Sequence, residues 1–204
     1  MDSPFWEKTY REDDISTFGE PSIEIKQLSQ ELDKNSKILD VGCGEGRNAI
    51  YLAENGFDVE AFDISDAGIG KLTSCADSKS LSVNAYTCSI DQFVFKSRYD
   101  CIIMHGVLHL VHRNVWENFL LEVKNHTSQN GLNIIAIFTD ILPIPNDLTD
   151  HCIGLFKDGE LKNIYQDWQI EQFDSYQFTD THPGNIIHEH AANKIIARNR
   201  TRLE

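Results

Sequence analysis

Residues 37–46 read KILDVGCGEG, and the fold of this 204-residue chain follows from that stretch. Ile38, Leu39 and Val41 form a short apolar run between Lys37 and a set of glycines. Such a run suits a strand of a parallel sheet covered on both faces. It ends in Asp40 and a loop with glycine at positions 42, 44 and 46. Ala49, Ile50, Leu52 and Ala53 then recur at helical spacing. A strand, a glycine turn and a helix start place a nucleotide-binding crevice at the carboxyl edge of an α/β sheet.

The glycine spacing bears on which nucleotide. A dinucleotide fingerprint, G-x-G-x-x-G, needs its last glycine so that helix and strand pack closely behind a pyrophosphate. Gly42 and Gly44 supply the first two, but Arg47 occupies the third place. Further on, FDVEAF (57–62) alternates apolar and polar residues as a second strand should. Asp63 ends it, about twenty residues beyond the loop, where a carboxylate accepts from ribose hydroxyls. Asp63 also suits the N-terminus of a helix starting near Ser65, and both readings stand at this point.

Outward from this centre the elements alternate. Pro21–Leu32 reads as a helix and Ser65–Lys79 as another, weakened by Gly68 and Gly70. Leu81–Cys88 and Tyr99–Met104 read as third and fourth strands. Asn114–His126 is amphipathic and is expected to stop at Gly131, before a fifth strand at Leu132–Phe138. Ile141–Pro145 is a proline-bearing loop and Asp158–Gln166 a short helix. Two long strands, Gln169–Phe178 and Ile186–Arg198, are expected to form a hairpin around THPGN (181–185). The alternation predicts one domain, a parallel sheet covered on both faces.

Composition narrows the partners. A formal net charge of -14 and a pI near 4.9 argue against a nucleic-acid substrate, which needs clustered Lys and Arg. MDSPFWEKTY lacks the charged and apolar regions expected of a signal peptide, and Ile134–Phe138 is strand-sized, too short to span a bilayer. Five cysteines (43, 75, 88, 101, 152) without a C-x-x-C pair are expected to be thiols in a reducing cytoplasm. Leu203-Glu204 reads as an expression scar, and Glu12, Asp13 and Asp14 as a solvated segment.

D-x-G-x-G-x-G at 40–46 resembles the first motif of class I S-adenosylmethionine-dependent methyltransferases. More of the chain resembles the tellurite-resistance (TehB-like) family, near the thiopurine methyltransferases. Three blocks carry the likeness: Leu39–Asp63, with its Gly46-Arg47-Asn48 triplet; Tyr99–Val111; and FKDGELKNIYQDWQIEQF (156–173). The resemblance implies a Rossmann-like fold with a mostly parallel seven-stranded sheet, a C-terminal antiparallel hairpin and helices on both faces. It implies S-adenosyl-L-methionine as cofactor and a small molecule or metalloid oxyanion, tellurite- or selenite-like, as acceptor. Cofactor contacts are then expected from Asp40, Gly42, Cys43, Gly44, Arg47, Asn48, Asp63, Ile64, Ser89, Ile90 and His105. FWEKTYRE (5–12) is similar to a segment that closes over the cofactor, which makes Trp6 and Tyr10 lid candidates. Aromatic faces suit sulfonium and adenine; equally, the two residues pin the arm to the core.

Two departures from the family stand out. Where an acidic residue usually accepts from the adenine amino group, this chain has Cys88-Ser89-Ile90, with Asp91 two positions on. Where the family carries a His-Arg pair, Gln177 and Phe178 precede Thr179 and Asp180. An Arg there would suit an oxyanion.

A soft nucleophile needs only alignment and exclusion of water, whereas oxygen or nitrogen often wants a base, commonly His. His105, at the exit of the fourth strand, is one candidate. His188 and His190 are the others, since alternate strand residues share a face; the bland reading is a solvent-facing pair near a sheet edge. Asp140 and Tyr176 also fall near the expected pocket. A metal trio from His105, His109 and His112 is not expected, because no carboxylate or thiolate completes it. A methyl-donor-binding regulatory domain without transfer activity is the competing reading. A nicotinamide oxidoreductase is disfavoured by Arg47, and a DNA methyltransferase by MHGV (104–107) and by the charge.

Overall fold

The structure, a computed structural model, describes residues 5–11, 19–182 and 186–200. Glu12–Asp14, Leu203-Glu204 and the centre of the THPGN turn (183–185) lie outside the described residues. The chain divides into two compact units, Met1–Ile102 and Ile103–Glu204.

In the first unit, α1 (Phe5–Tyr10) and α2 (Ile23–Glu31) precede β1 (Lys37–Val41), α3 (Arg47–Glu54), β2 (Asp58–Asp63), α4 (Asp66–Ser78) and β3 (Val83–Thr87). The strands lie in the order β3-β2-β1 and pair in parallel, from Lys37↔Asp58 to Val41↔Phe62 and from Val59↔Val83 to Asp63↔Thr87. Ile38, Leu39 and Val41 have no accessible surface, as an apolar run in a doubly covered sheet requires. β2 departs from the alternation read in its sequence, because Glu60 is buried. The hydroxyls of Tyr86 and Tyr99 donate to its carboxylate at 2.6 and 2.7 Å, and the Lys37 ammonium lies 3.9 Å away, so the charge is paired. The helix expected over Ser65–Lys79 forms across both glycines, with Ser65 as its N-cap accepting from the Gly68 N–H at 3.0 Å.

The division falls on β4 (Tyr99–His105). The second unit continues with α5 (Arg113–His126), β5 (Thr127–Phe138), α6 (Glu160–Ile164), β6 (Gln169–His182) and β7 (Ile186–Arg198). Its strands lie in the order β5-β7-β6, all antiparallel, and β6 and β7 are the expected hairpin. One boundary differs. α5 ends at His126, where its amphipathic stretch ends, but β5 starts at once at Thr127 and not at Leu132. The Thr127 hydroxyl donates to the Val123 carbonyl at 2.7 Å, and the Asn199 side chain reaches the carbonyls of Thr127 and Ser128. These contacts close the helix, and the left-handed turn falls on Asn130 (φ 63°).

The 156–173 block is an anchor for this unit. Phe156 stacks on Trp116 at 3.9 Å, Glu160 receives both guanidinium arms of Arg113 at 2.7 and 2.8 Å, and Tyr165 donates to Asn133 at 2.8 Å. Its distinctive residues are spent on packing α5, α6 and β5 together.

Candidate functional site

Gly42, Gly44 and Gly46 all take left-handed backbone angles, with φ of 65°, 55° and 86°. Only glycine does so three times in five residues without strain. The loop spends its own N–H groups. Those of Gly42 and Cys43 donate to the Phe62 carbonyl at 2.8 and 3.1 Å, and that of Gly46 to the Cys43 carbonyl at 2.9 Å. The Gly44 N–H donates to Asp63 Oδ2 at 2.9 Å, while Ser65 N–H donates to Asp63 Oδ1 at 2.8 Å. Asp63 thus clamps the loop to the end of β2 and also receives the start of α4. Each oxygen keeps a second lone pair, so acceptance from a ribose remains within its chemistry. Burial pushes its carboxyl up, against the backbone donors that pull it down.

α1 lies against this loop. A Cβ added at Gly44 would run into the Tyr10 hydroxyl, and one added at Gly68 would stand 2.9 Å from the Gly44 carbonyl oxygen and 3.2 Å from the Tyr10 ring. Tyr10 is buried, and desolvation together with the negative Asp63 and Glu45 keeps its hydroxyl protonated. Glu7, one turn back, accepts from the Ser65 hydroxyl, and Trp6 is half-buried. Glu7, Ser65 and Gly68 were not among the residues read as functional. Their signal was two glycines kept in a helix, where an unexplained glycine often marks a packing demand.

Asp40 is 2% exposed, and its Oδ2 has no hydrogen-bond partner among the described residues. Burial pushes its carboxyl up to about 7, with Arg47 opposing. The same burial raises the Cys43 thiol well above its usual range, so the loop cysteine is not a thiolate nucleophile. Arg47 donates to the Glu20 carbonyl at 3.4 Å, and burial lowers its guanidinium against the attraction of Asp40 and Glu24. Asn48 is buried and accepts from the Ser22 N–H at 3.4 Å, a contact between α3 and the start of α2. Cys88 N–H donates to the Asp63 carbonyl at 2.9 Å, which brings the turn after β3 beside the loop. There Ser89 is half-buried, Ile90 buried, and Ile64 is 69% exposed at the end of β2. The first unit therefore gathers Tyr10, Asp40, the glycine loop, Arg47, Asp63 and the Ser89 turn.

The second unit holds the histidines. His105 ends β4, half-buried, before Gly106 (φ 74°). His109 accepts from the Phe138 N–H at 3.2 Å and stacks on the Phe138 ring at 4.1 Å. Burial drives its imidazole down to about 3, so it is a neutral core residue. His112 is exposed at the start of α5. His188 and His190 are 6% and 4% exposed on one face of β7, which excludes a solvent-facing pair. His190 stacks on the other side of the Phe138 cluster at 4.4 Å, and His188 pairs with Asp147 at 3.0 Å. Phe178, at the place of the family's Arg, lies 5.4 Å from His190 and 5.9 Å from Phe138. Asp140 is exposed and Tyr176 is 37% exposed.

The profile of the family described as "Tellurite resistance protein TehB" matches residues 7–193. Among curated proteins, the "Probable S-adenosyl-L-methionine-dependent methyltransferase TehB" of Haemophilus influenzae is 30% identical over 139 residues, covering 67% of this chain and 47% of that protein. A ubiquinone biosynthesis O-methyltransferase of Rickettsia typhi is 36% identical over 100 residues, 49% of this chain and 40% of that one. The chain spans about half the length of the curated relatives it matches. The crystal structure of TehB from Haemophilus influenzae superposes with a TM-score of 0.79 at 23% identity, over 88% of this chain and 62% of that one. The N-methyltransferase NodS from Bradyrhizobium japonicum, in complex with S-adenosyl-L-homocysteine, gives 0.71 at 16% identity, over 96% and 97%. The fold is the Rossmann-like class I methyltransferase fold, with a mixed sheet that ends in an antiparallel hairpin.

Proposed function

The chain belongs to the tellurite-resistance TehB family, and from that premise we propose that it is an S-adenosyl-L-methionine-dependent methyltransferase acting on a small molecule. The observation that carries this reading is where the glycine loop sends its N–H groups. Four of them, on Gly42, Cys43, Gly44 and Gly46, are committed within the protein. A pyrophosphate cradle needs such donors free. Around the loop stand Asp40, Asp63 and Glu45, an acidic setting that favours a cation over a phosphate. The methionine end of the methyl donor, whose ammonium and sulfonium outweigh its carboxylate, fits it, and the unpartnered Asp40 oxygen supplies an acceptor.

Held by these residues, S-adenosyl-L-methionine would supply an activated methyl group for in-line transfer to a nucleophile, with the sulfur as leaving group. The chain's own task is alignment and dryness. Asp63 fixes the loop and offers acceptors to a ribose, Ile64 presents an apolar face to a base, and Tyr10 with Trp6 covers the loop. Ser89 and the Ile90 N–H take the place of the usual acidic adenine partner. His105, His188 and His190 are the candidates for the acceptor side. A metalloid oxyanion such as tellurite is the acceptor that the family name suggests. A single domain working in a reducing cytoplasm accords with the five free cysteines. Among the described residues no helix is long and apolar enough to cross a membrane.

Calorimetric titration separates the readings. S-adenosyl-L-methionine is expected to bind and NAD not to, and Gly44→Val should abolish binding while the fold persists. Binding of NAD alone would falsify the proposal. Donor binding with no S-adenosyl-L-homocysteine released across tellurite, selenite, thiols, phenols and amines would leave the regulatory domain as the better reading.

A further inference from the structure

β6 stands last in the second unit's strand order, β5-β7-β6, and among the described residues no strand pairs with its outer edge. In an antiparallel pair alternate residues turn their N–H and C=O groups to the neighbour, so the others along β6 turn theirs outward. Open edges of this kind are ordinarily blunted by short strands, proline, lysine or bulges. β6 instead runs for 14 residues, QIEQFDSYQFTDTH, without Pro, Lys or Arg. Its register shifts once, between Ile170 and Gln172, and then runs unbroken from Gln172↔Ile196 to His182↔Ile186. None of residues 172–180 is buried. Two of the three acids on β6 are answered from β7: Arg198 pairs with Glu171, and Lys194 lies opposite Asp174.

We propose that two copies of this chain associate through this edge, β6 against β6, antiparallel about a two-fold axis at Tyr176. The strand's own pattern selects that occupant and register. Full overlap of the unbroken stretch, centred on Gln177, would set Asp174 against Asp180 twice, and like charges directly opposite are destabilising. Moving the axis to Tyr176 removes the clash. Asp174 then faces Phe178, Asp180 faces Gln172, and Tyr176, 37% exposed, faces its own copy. A tyrosine suits this place, since its ring is covered while its hydroxyl stays wet. The opposite shift, to Phe178, gives up the tyrosine pair and carries Gln172 beyond the overlap.

Sedimentation and hydrogen exchange on the full chain test this. A reversible dimer, twice the 23.3 kDa of one chain, is expected at micromolar concentrations. Salt should tighten it, because each copy carries a formal charge of -14. Alternate backbone amides within 172–180 should exchange more slowly as the dimer forms. Gln172→Lys meets Asp180 and should tighten the dimer about three- to tenfold, and Gln172→Glu should loosen it as much, since each pair occurs twice. Tyr176→Lys should abolish association while circular dichroism stays native. A monomer at every concentration, a dimer whose β6 amides exchange as in the monomer, or the same response to Lys and Glu at position 172 overturns the inference. Protection of β6 that needs another protein, with the chain alone monomeric, overturns it in favour of a different partner. None of these readouts depends on methyl-donor binding.

Discussion

Gly68 and Gly70 occupy the same helix, and a methyl group added to each should act in opposite directions. Alanine improves an exposed helix interior by about 0.5–1 kcal/mol over glycine, because it removes backbone freedom from the unfolded chain. At Gly70 nothing lies within 4 Å of the new Cβ, so Gly70→Ala should realise that gain. For a chain of this length 1 kcal/mol raises Tm by about 2–4 °C. At Gly68 the new Cβ meets backbone: 2.9 Å from the Gly44 oxygen and 3.0 Å from its carbon. A carbonyl held by its chain cannot rotate away as a side-chain tip does, so the loop or α4 must shift by a few tenths of an ångström. Overpacking of this kind costs about 1–3 kcal/mol, which outweighs the propensity gain. The expected result is a Tm lower than wild type, and methyl-donor affinity lower by about tenfold or more because the displaced residue is Gly44. Thermal melts and calorimetry on the two single variants test this. If Gly68→Ala gains as much stability as Gly70→Ala and binds donor normally, the three-way contact of loop, α4 and Tyr10 is not what positions the site.

Three further perturbations have definite signs. Asp40 titrates near 7 in the fold because it is buried, so its unfolded form ionises first and its charge costs stability increasingly from about pH 4 to pH 7. Asp40→Asn should therefore gain on wild type as pH rises through that window, by up to about 4 kcal/mol, and urea midpoints at pH 4.5 and 8 that differ equally would refute it. His109, held neutral down to about pH 3, contributes stability that is whole above pH 6.5 and is lost as pH falls toward 3. His109→Phe should flatten that acid limb while costing about 1–3 kcal/mol at pH 8 for the stranded Phe138 N–H; an unchanged limb contradicts the assignment. Glu60→Gln keeps an acceptor for one of the two tyrosine hydroxyls but sets an amide N–H₂ before the other, and denaturation should show a loss of about 1–3 kcal/mol with donor affinity unchanged.

The β1–loop–α3 unit was legible because its signal is local: an apolar run, three glycines and a helical stripe within eighteen residues. The hairpin was legible for the same reason. α1 was not, since six residues have too little periodicity, and its contacts are with Ser65 and Gly44, far away in sequence. The start of β5 lies earlier than Leu132 because Gly131 looks like a break between helix and strand, whereas Asn199 holds the carbonyls of Thr127 and Ser128 and the strand begins there. The burial of Glu60 departs from the alternation of 57–62, because a sequence does not reveal that two tyrosines from other strands converge on it. His109 fell into a metal-like spacing, and only the stack on Phe138 identifies it as core. Asp63 was read with two roles open; both of its oxygens carry hydrogen bonds that either role can share.

The two kinds of strand pairing also differ in how the chain must search for them. Every pair between β1 and β2 joins residues about 20 apart in sequence, so no pair makes the next one easier to reach. The β6–β7 hairpin begins at His182↔Ile186 and each later pair extends from one already made. The closure entropy of the first contact favours the hairpin by about 1.5 kcal/mol. The second unit therefore has a local starting point for its sheet. The first must close the crossover through α3 before its glycine loop has the end of β2 to rest on, so the nucleotide-binding geometry should form later than the hairpin.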